Sequence, residues 1–160
     1  MTYARKGQTP VLQHECKHYR KISAAVVITE DGDLYYEVRQ CNFHHNAIVR
    51  FMNNCWADLQ TALVCIWDNA TIHKAKEVAN ALHQTHRNPR IRLENTPAYS
   101  PELNASEQVW NYVKNVLLVN VFCKTEDELK RRVIEALEEI KANKELVKSF
   151  FRNTKVGFYT

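Results

Sequence analysis

Residues 22–29 read Ile-Ser-Ala-Ala-Val-Val-Ile-Thr, a β-branched apolar run that predicts a buried strand. Glu30-Asp31-Gly32-Asp33 interrupts it, and the glycine suits the positive-φ position of a hairpin turn. Residues 34–39 then alternate as Leu-Tyr-Tyr-Glu-Val-Arg, the pattern of a strand near a sheet edge. From about residue 42 to 59, Ala47, Ile48, Phe51, Met52, Cys55, Trp56 and Leu59 mark one face of an amphipathic helix. Residues 62–67, Ala-Leu-Val-Cys-Ile-Trp, form a continuous apolar run that predicts a strand buried on both faces, and it stops at Asp68-Asn69. A helix over about 72–86 encloses Val78, Ala79, Ala81 and Leu82, and 91–95 is a further short strand.

Residues 96–101, Thr-Pro-Ala-Tyr-Ser-Pro, make a stiff loop, because each proline fixes its own φ and restricts its predecessor. Asn104-Ala105-Ser106-Glu107 opens the next helix, with Asn104 as N-cap, Glu107 three residues on, and Trp110, Val113 and Leu117 as the buried stripe. Thr125-Glu126-Asp127-Glu128 is a second capping box, starting one long last helix through Leu129, Val133, Ala136, Leu137 and Ile140. Strands alternating with helices imply an α/β fold, a sheet covered by helices on its faces. At 160 residues without repeats, the chain reads as one domain, residues 1–160. Its core lies over about 5–120 and a C-terminal helical extension over about 125–152.

Composition narrows the classes. The chain is 45% hydrophobic and 25% charged, ordinary for a soluble globular protein. No apolar run approaches the roughly 20 residues that span a bilayer. Thr2-Tyr3-Ala4-Arg5-Lys6-Gly7 lacks the apolar core of a signal peptide, so a cytoplasmic protein is expected. The five cysteines are scattered without a CxxC pair, which argues against a disulfide framework or a ribbon-type zinc site. His14-x-Cys16-x-His18 and Cys41-x-x-His44-His45 supply atoms that zinc accepts, but at an uncommon spacing, and packing or phosphate contact is the plainer expectation. The net charge of +4 permits a polyanionic partner without requiring one. Basic residues gather at 17–21, at 87–92 and along 124–155, and each cluster alone reads as solvated surface.

Two acids stand out. Asp68 follows a buried strand directly, at the strand's C-terminal end, where open α/β sheets bind ligands. Glu107 sits in the first turn of a helix behind the proline-stiffened loop. Either could be no more than a helix-start residue. The wider sequence around them is distinctive. Trp67-Asp68-Asn69-Ala70-Thr71-Ile72-His73 resembles the DNAxxH segment of the IS630/Tc1/mariner superfamily of transposases. Tyr99-Ser100-Pro101-Glu102-Leu103-Asn104-Ala105-Ser106-Glu107-Gln108-Val109-Trp110 is similar to its YSPxLNPxExxW signature. Arg5-Lys6-Gly7-Gln8-Thr9-Pro10 resembles the RxGxxP segment of IS630-type members. The three occur in the family's order over residues 5–110.

The resemblance implies a ribonuclease-H-like mixed sheet flanked by helices, with two aspartates and a glutamate holding two Mg²⁺ or Mn²⁺ ions. Hard divalent ions take carboxylate oxygens, and a pair of them supports in-line phosphodiester displacement. Carried over, Asp68 and Glu107 are catalytic metal ligands. Asn69, His73 and Asn104 orient ligands or contact phosphates, and Tyr99, Ser100 and Pro101 shape the approach. The implied partner is double-stranded DNA, as transposon ends and target, with a prokaryotic, nucleoid-associated setting. A homodimer or a separately encoded N-terminal segment is a further implied partner.

Two departures follow. The family proline two residues before the glutamate is Ala105. The family's first aspartate lies on a strand upstream of the RxGxxP segment, almost where this chain begins, so that acid and its central strand have no counterpart. Asp31, Asp33, Glu15 and Glu37 are poor substitutes, because metal sites demand ligand geometry within a fraction of an ångström. The rival to an active enzyme is therefore an inactive remnant that binds DNA or a partner chain.

Overall fold

The computed structural model describes residues 21–68, 76–85, 91–97 and 100–154. Two strands, β1 (Ser23–Ile28) and β2 (Leu34–Arg39), form an antiparallel ladder from Ser23↔Arg39 to Ile28↔Leu34. The turn between them closes with Gly32 N donating to Thr29 O at 3.1 Å and Thr29 N donating to Asp33 O at 2.9 Å. Gly32 takes φ +89°, the left-handed residue that ends this type of three-residue hairpin loop. Hydrogen bonding at Thr29–Asp33 sets the phase of the ladder. Antiparallel pairs alternate, so Val27–Tyr35, Ala25–Glu37 and Ser23–Arg39 exchange backbone bonds. The backbone groups of Ala24, Val26 and Ile28 then turn to one outer edge, and those of Leu34, Tyr36 and Val38 to the other.

Helix α1 (His45–Leu59) buries Ala47, Ile48, Phe51, Met52 and Cys55, the face that the periodicity marked. It begins about three residues later than expected, with no side-chain cap, and ends at Gln60 in the left-handed region, whose N–H donates to Trp56 O. Strand β3 (Leu63–Trp67), helix α2 (Lys76–Thr85) and strand β4 (Ile91–Asn95) form a parallel unit in register from Leu63↔Ile91 to Trp67↔Asn95. Thr96 N donates to Trp67 O at 2.9 Å and carries the ladder to the end of β3. A 3-10 turn (Pro101–Leu103) leads into α3 (Ala105–Tyr112), which runs on as a π-helical turn (Val113–Leu117). Helices α4 (Glu126–Lys141) and α5 (Lys144–Arg152) follow.

Two cores lie on opposite faces of the hairpin. Ile28 and Val26 of β1 meet Leu34, α3, α4 and α5 on one side, through Val109, Leu137, Ile140 and Val147. Val27, one residue along, packs on the other side with Trp67, α1 and α2, through Ile48, Val78 and Leu82. The alternation of a strand thus joins the two halves. The hairpin also lies against the C-terminal helices: Tyr36 OH donates to Glu138 Oε1 at 2.5 Å, and Lys144 Nζ donates to Asp33 Oδ1 at 2.7 Å.

Three expectations change. The single long last helix is two helices, because Asn143 N-caps a new one, its side chain accepting from Leu146 N at 3.0 Å. Strand β3 is not buried on both faces: Trp67 is buried, but Val64 is 60% exposed. Among the described residues β3 has a partner strand on one side only, and the helices that contact it lie on the Trp67 face. Among the described residues the sheet is two two-stranded ladders, β1–β2 and β3–β4, and no described strand joins β1 to β3.

Candidate active site

Asp68 directly follows Trp67, whose buried side chain anchors the end of β3 in the core shared by α1 and α2. Asp68 itself is half-buried. The strand ladder therefore fixes the backbone from which this carboxylate projects. Asn69, His73 and Tyr99, expected to support it, lie outside the described residues.

Glu107 is held by a different device. Ser100 accepts the N–H of Leu103 at 3.1 Å, which closes the 3-10 turn before α3. Asn104 is the N-cap, and its Oδ1 accepts from Ser106 N at 3.1 Å. Glu107 N donates to Asn104 O at 3.0 Å. The capping reading of Glu107 has a direct comparison in α4, where Glu128 at the same position accepts from Lys124 N at 2.9 Å. Glu107 closes no such bond, and its half-buried carboxylate makes no hydrogen bond or ion pair among the described residues. Asn104 supplies the side-chain cap at this helix start, and Glu107 does not.

Sequence reasoning passed over Ser106. Its hydroxyl donates to Val26 O at 3.5 Å, on the edge of β1 turned away from β2. With Val109 and Val113 buried against Ile28 and Leu34, this seats the first turn of α3 on β1. A polar residue between the cap and Glu107 was the available signal.

Two of the other acids have partners elsewhere. Asp33 pairs with Lys144, and Glu37 accepts from Arg39 at 2.5 Å and from Arg50 at 3.2 Å. Glu15 lies outside the described residues. Among the described residues no three His, Cys, Asp or Glu side chains are grouped to hold a metal ion. That covers Cys41, His44 and His45, all exposed around the start of α1. His14, Cys16 and His18 lie outside the described residues. Burial pushes the Cys55 thiol up to about 12, with Asp58 adding to the effect, and burial alone does the same to Cys65. Thiols held protonated are neither nucleophiles nor metal ligands. Asp68 and Glu107 fit a hard divalent cation by donor type, and two carboxylates fall short of a complete ligand set.

Residues 1–130 match the family described as DDE superfamily endonuclease. No curated protein sequence matches the chain. Solved structures do. The Mos1 strand transfer complex shares the fold with a TM-score of 0.70 at 17% identity, over 96% of this chain and 46% of that one. The Mos1 mariner paired-end complex with Mn gives the same values. The Mos1 paired-end complex with left transposon end gives 0.63 at 17% identity, over 97% of this chain and 50% of that one. The chain thus spans about half the length of the transposase chains it matches. At this identity the likeness shows a shared fold, the ribonuclease-H-like arrangement.

Proposed function

The chain belongs to the DDE superfamily endonucleases, and we propose that it is the metal-dependent phosphodiester-transfer core of a DNA transposase. Its substrate is double-stranded DNA, at transposon ends and target. Among the described residues no helix is long and apolar enough to cross a membrane.

The observation that carries the reading is a pair of carboxylates on separate elements. Asp68 projects from the end of the β3 ladder, and Glu107 from a helix start capped by another residue. On this reading both bind Mg²⁺ or Mn²⁺. Held there, such ions would supply activation of a water or 3′-hydroxyl and stabilisation of the leaving oxygen in an in-line displacement. The protein's own part is to hold the two ligands. The β3–β4 ladder and Trp67 fix one, and Asn104 and Ser106 fix the other through α3. Ser100 belongs to the turn that sets the approach to Glu107. Asn69, His73 and Tyr99 are assigned to ligand orientation and phosphate contact.

Among the described residues no third acid joins this pair, and the reading places one on a further segment. In the implied strand order that segment lies between β1 and β3 and carries an aspartate. Nicking of supercoiled DNA with Mg²⁺ or Mn²⁺, by the chain alone and with the upstream coding segment restored, tests both points. Metal-dependent cleavage lost in Asp68→Asn and in Glu107→Gln supports the assignment. Cleavage indifferent to both substitutions overturns it. Salt-sensitive DNA binding without cleavage, even with the upstream segment, identifies an inactive remnant.

A further inference from the structure

The outer edge of β2 lies in a groove of about 570 Å³ that the proposed chemistry does not use. Tyr35, Tyr36 and Glu37 line its floor, α1 forms one wall and α4 the other. The alternation of side chains sends Tyr35 and Glu37 toward α1 and Tyr36 toward α4.

The floor offers a specific chemistry. The ladder phase turns the N–H and C=O groups of Leu34, Tyr36 and Val38 away from β1. Among the described residues no strand pairs with them. Such an edge is a template for another extended chain, and natural sheets usually blunt it with charge or cover. Here β2 carries Glu37 and Arg39, which pair with each other, and the remaining charges of the groove lie in its walls. The complement of backbone groups repeating every second residue is an extended polypeptide. A strand added there would lie about 4.8 Å from β2, between the α1 and α4 walls.

The walls add a preference. Glu37 has Arg39 and Arg50 as partners. Glu138 accepts from Tyr36, and Lys141 Nζ stands 6.0 Å from the same ring. Asp58, exposed on the α1 wall, has no ion pair among the described residues. Together with Asp33 it makes the field at Tyr35 negative, which, after burial, holds the Tyr35 hydroxyl above its usual range. A basic side chain opposite Tyr35 would meet an unpaired carboxylate.

We propose that this groove binds an extended peptide segment of another protein by strand addition to β2, with a lysine or arginine placed against Asp58. This surface is independent of the acid pair, so its failure and the failure of the transposase reading are separable. The test uses the full chain, isotope-labelled, with the capped hexapeptide Ac-Thr-Val-Lys-Val-Thr-Val-NH₂ added to millimolar concentration. The expected result is saturable amide shifts centred on Leu34, Tyr36 and Val38. They should vanish when alternate peptide amides are N-methylated, because the ladder then loses its donors. Asp58→Asn should weaken the lysine peptide about two- to fivefold, as an exposed ion pair does, and leave a Lys-to-Thr peptide unchanged. No shifts, shifts elsewhere, or equal binding of the N-methylated peptide overturns the proposal. Concentration-dependent shifts of the same amides without peptide also overturn it, in favour of a second copy of the chain.

Discussion

Gly32→Ala should destabilise the protein by about 2–4 kcal/mol, because this turn glycine is buried against α5. Gly32 has φ +89°, and a Cβ there would stand 2.6 Å from Lys144 O and 3.1 Å from Lys148 Cγ. Two costs combine. A left-handed conformation costs an L-residue other than glycine roughly 1–2 kcal/mol. The Lys144 contact is to backbone at the start of α5, so no side-chain rotation relieves it. The hairpin must lift from α5, a repacking typically worth about 1–3 kcal/mol, and the Asp33–Lys144 pair is disturbed with it. Reduced freedom of the unfolded chain returns about 0.4–1 kcal/mol. At roughly 2–4 °C per kcal/mol for a chain of this size, the midpoint should fall by about 5–15 °C. Urea and thermal melts followed by far-ultraviolet circular dichroism measure this. Gly32→Asn separates the two costs, since asparagine tolerates the left-handed region but carries a Cβ. It should recover the conformational share and keep the steric one. If Gly32→Ala costs under about 1 kcal/mol, or if Gly32→Asn is as stable as the parent, the hairpin does not rest on α5 as described.

Three other outcomes are expected. Asn104→Ala should cost about 1 kcal/mol through loss of the cap to Ser106, whereas Glu107→Gln should stay within about 0.5 kcal/mol; a urea-melt loss above 1.5 kcal/mol for Glu107→Gln would show the carboxylate to be a structural partner. Mass mapping after alkylation at pH 8 should find exposed Cys41 modified well before Cys55 and Cys65, whose thiols burial holds near 12; modification of Cys65 at the rate of Cys41 would contradict the packing of β3. Burial first, then Glu138, pushes the Tyr36 hydroxyl from 10.0 up to about 12, so folding favours its protonated form. That contribution is complete below pH 10 and fades as pH rises toward 12. Stability measured between pH 9 and 11.5 should therefore fall less steeply in Tyr36→Phe, and an unchanged slope would refute the assignment.

Much of this fold is readable because period and turn chemistry agree. The alternation of residues 34–39, the glycine of the turn and the apolar face of α1 each specify one element, and β4 begins and ends where expected. The break after Lys141 is hidden for a physical reason. Ile140 and Val147 are seven residues apart, so the apolar stripe stays in phase across the break. No glycine or proline marks it, and Asn143 is the only local signal. The exposure of Val64 is hidden for another reason, because an apolar strand reads alike whether its neighbours are present or not. At the site, spacing could not tell a metal ligand from a cap. The order of three motifs raised Asp68 and Glu107 above that ambiguity. In α3 the cap is Asn104, as the sequence suggested, its side chain accepting from Ser106 N.

The proposed chemistry and the architecture meet at the inner edge of β1. Ala24, Val26 and Ile28 turn their backbone groups away from β2, and Ser106 bonds the Val26 carbonyl there. Strand β3 likewise has one partner strand among the described residues. On the proposed reading, one strand between these edges gives both their second neighbour and carries a third acid to the pair. Ser106 adjoins Glu107, so the strand that reaches Val26 also alters the seat of the Glu107 helix. Completing the ladder and completing the metal site are then a single event. Adding a segment that supplies this strand and acid should raise the cooperativity of unfolding and the cleavage rate together. An aspartate delivered without a strand, on a flexible linker for example, should do neither. If cleavage returns while the unfolding transition stays unchanged, the acid is reaching the site by another route, and the strand between β1 and β3 is not what the chemistry requires.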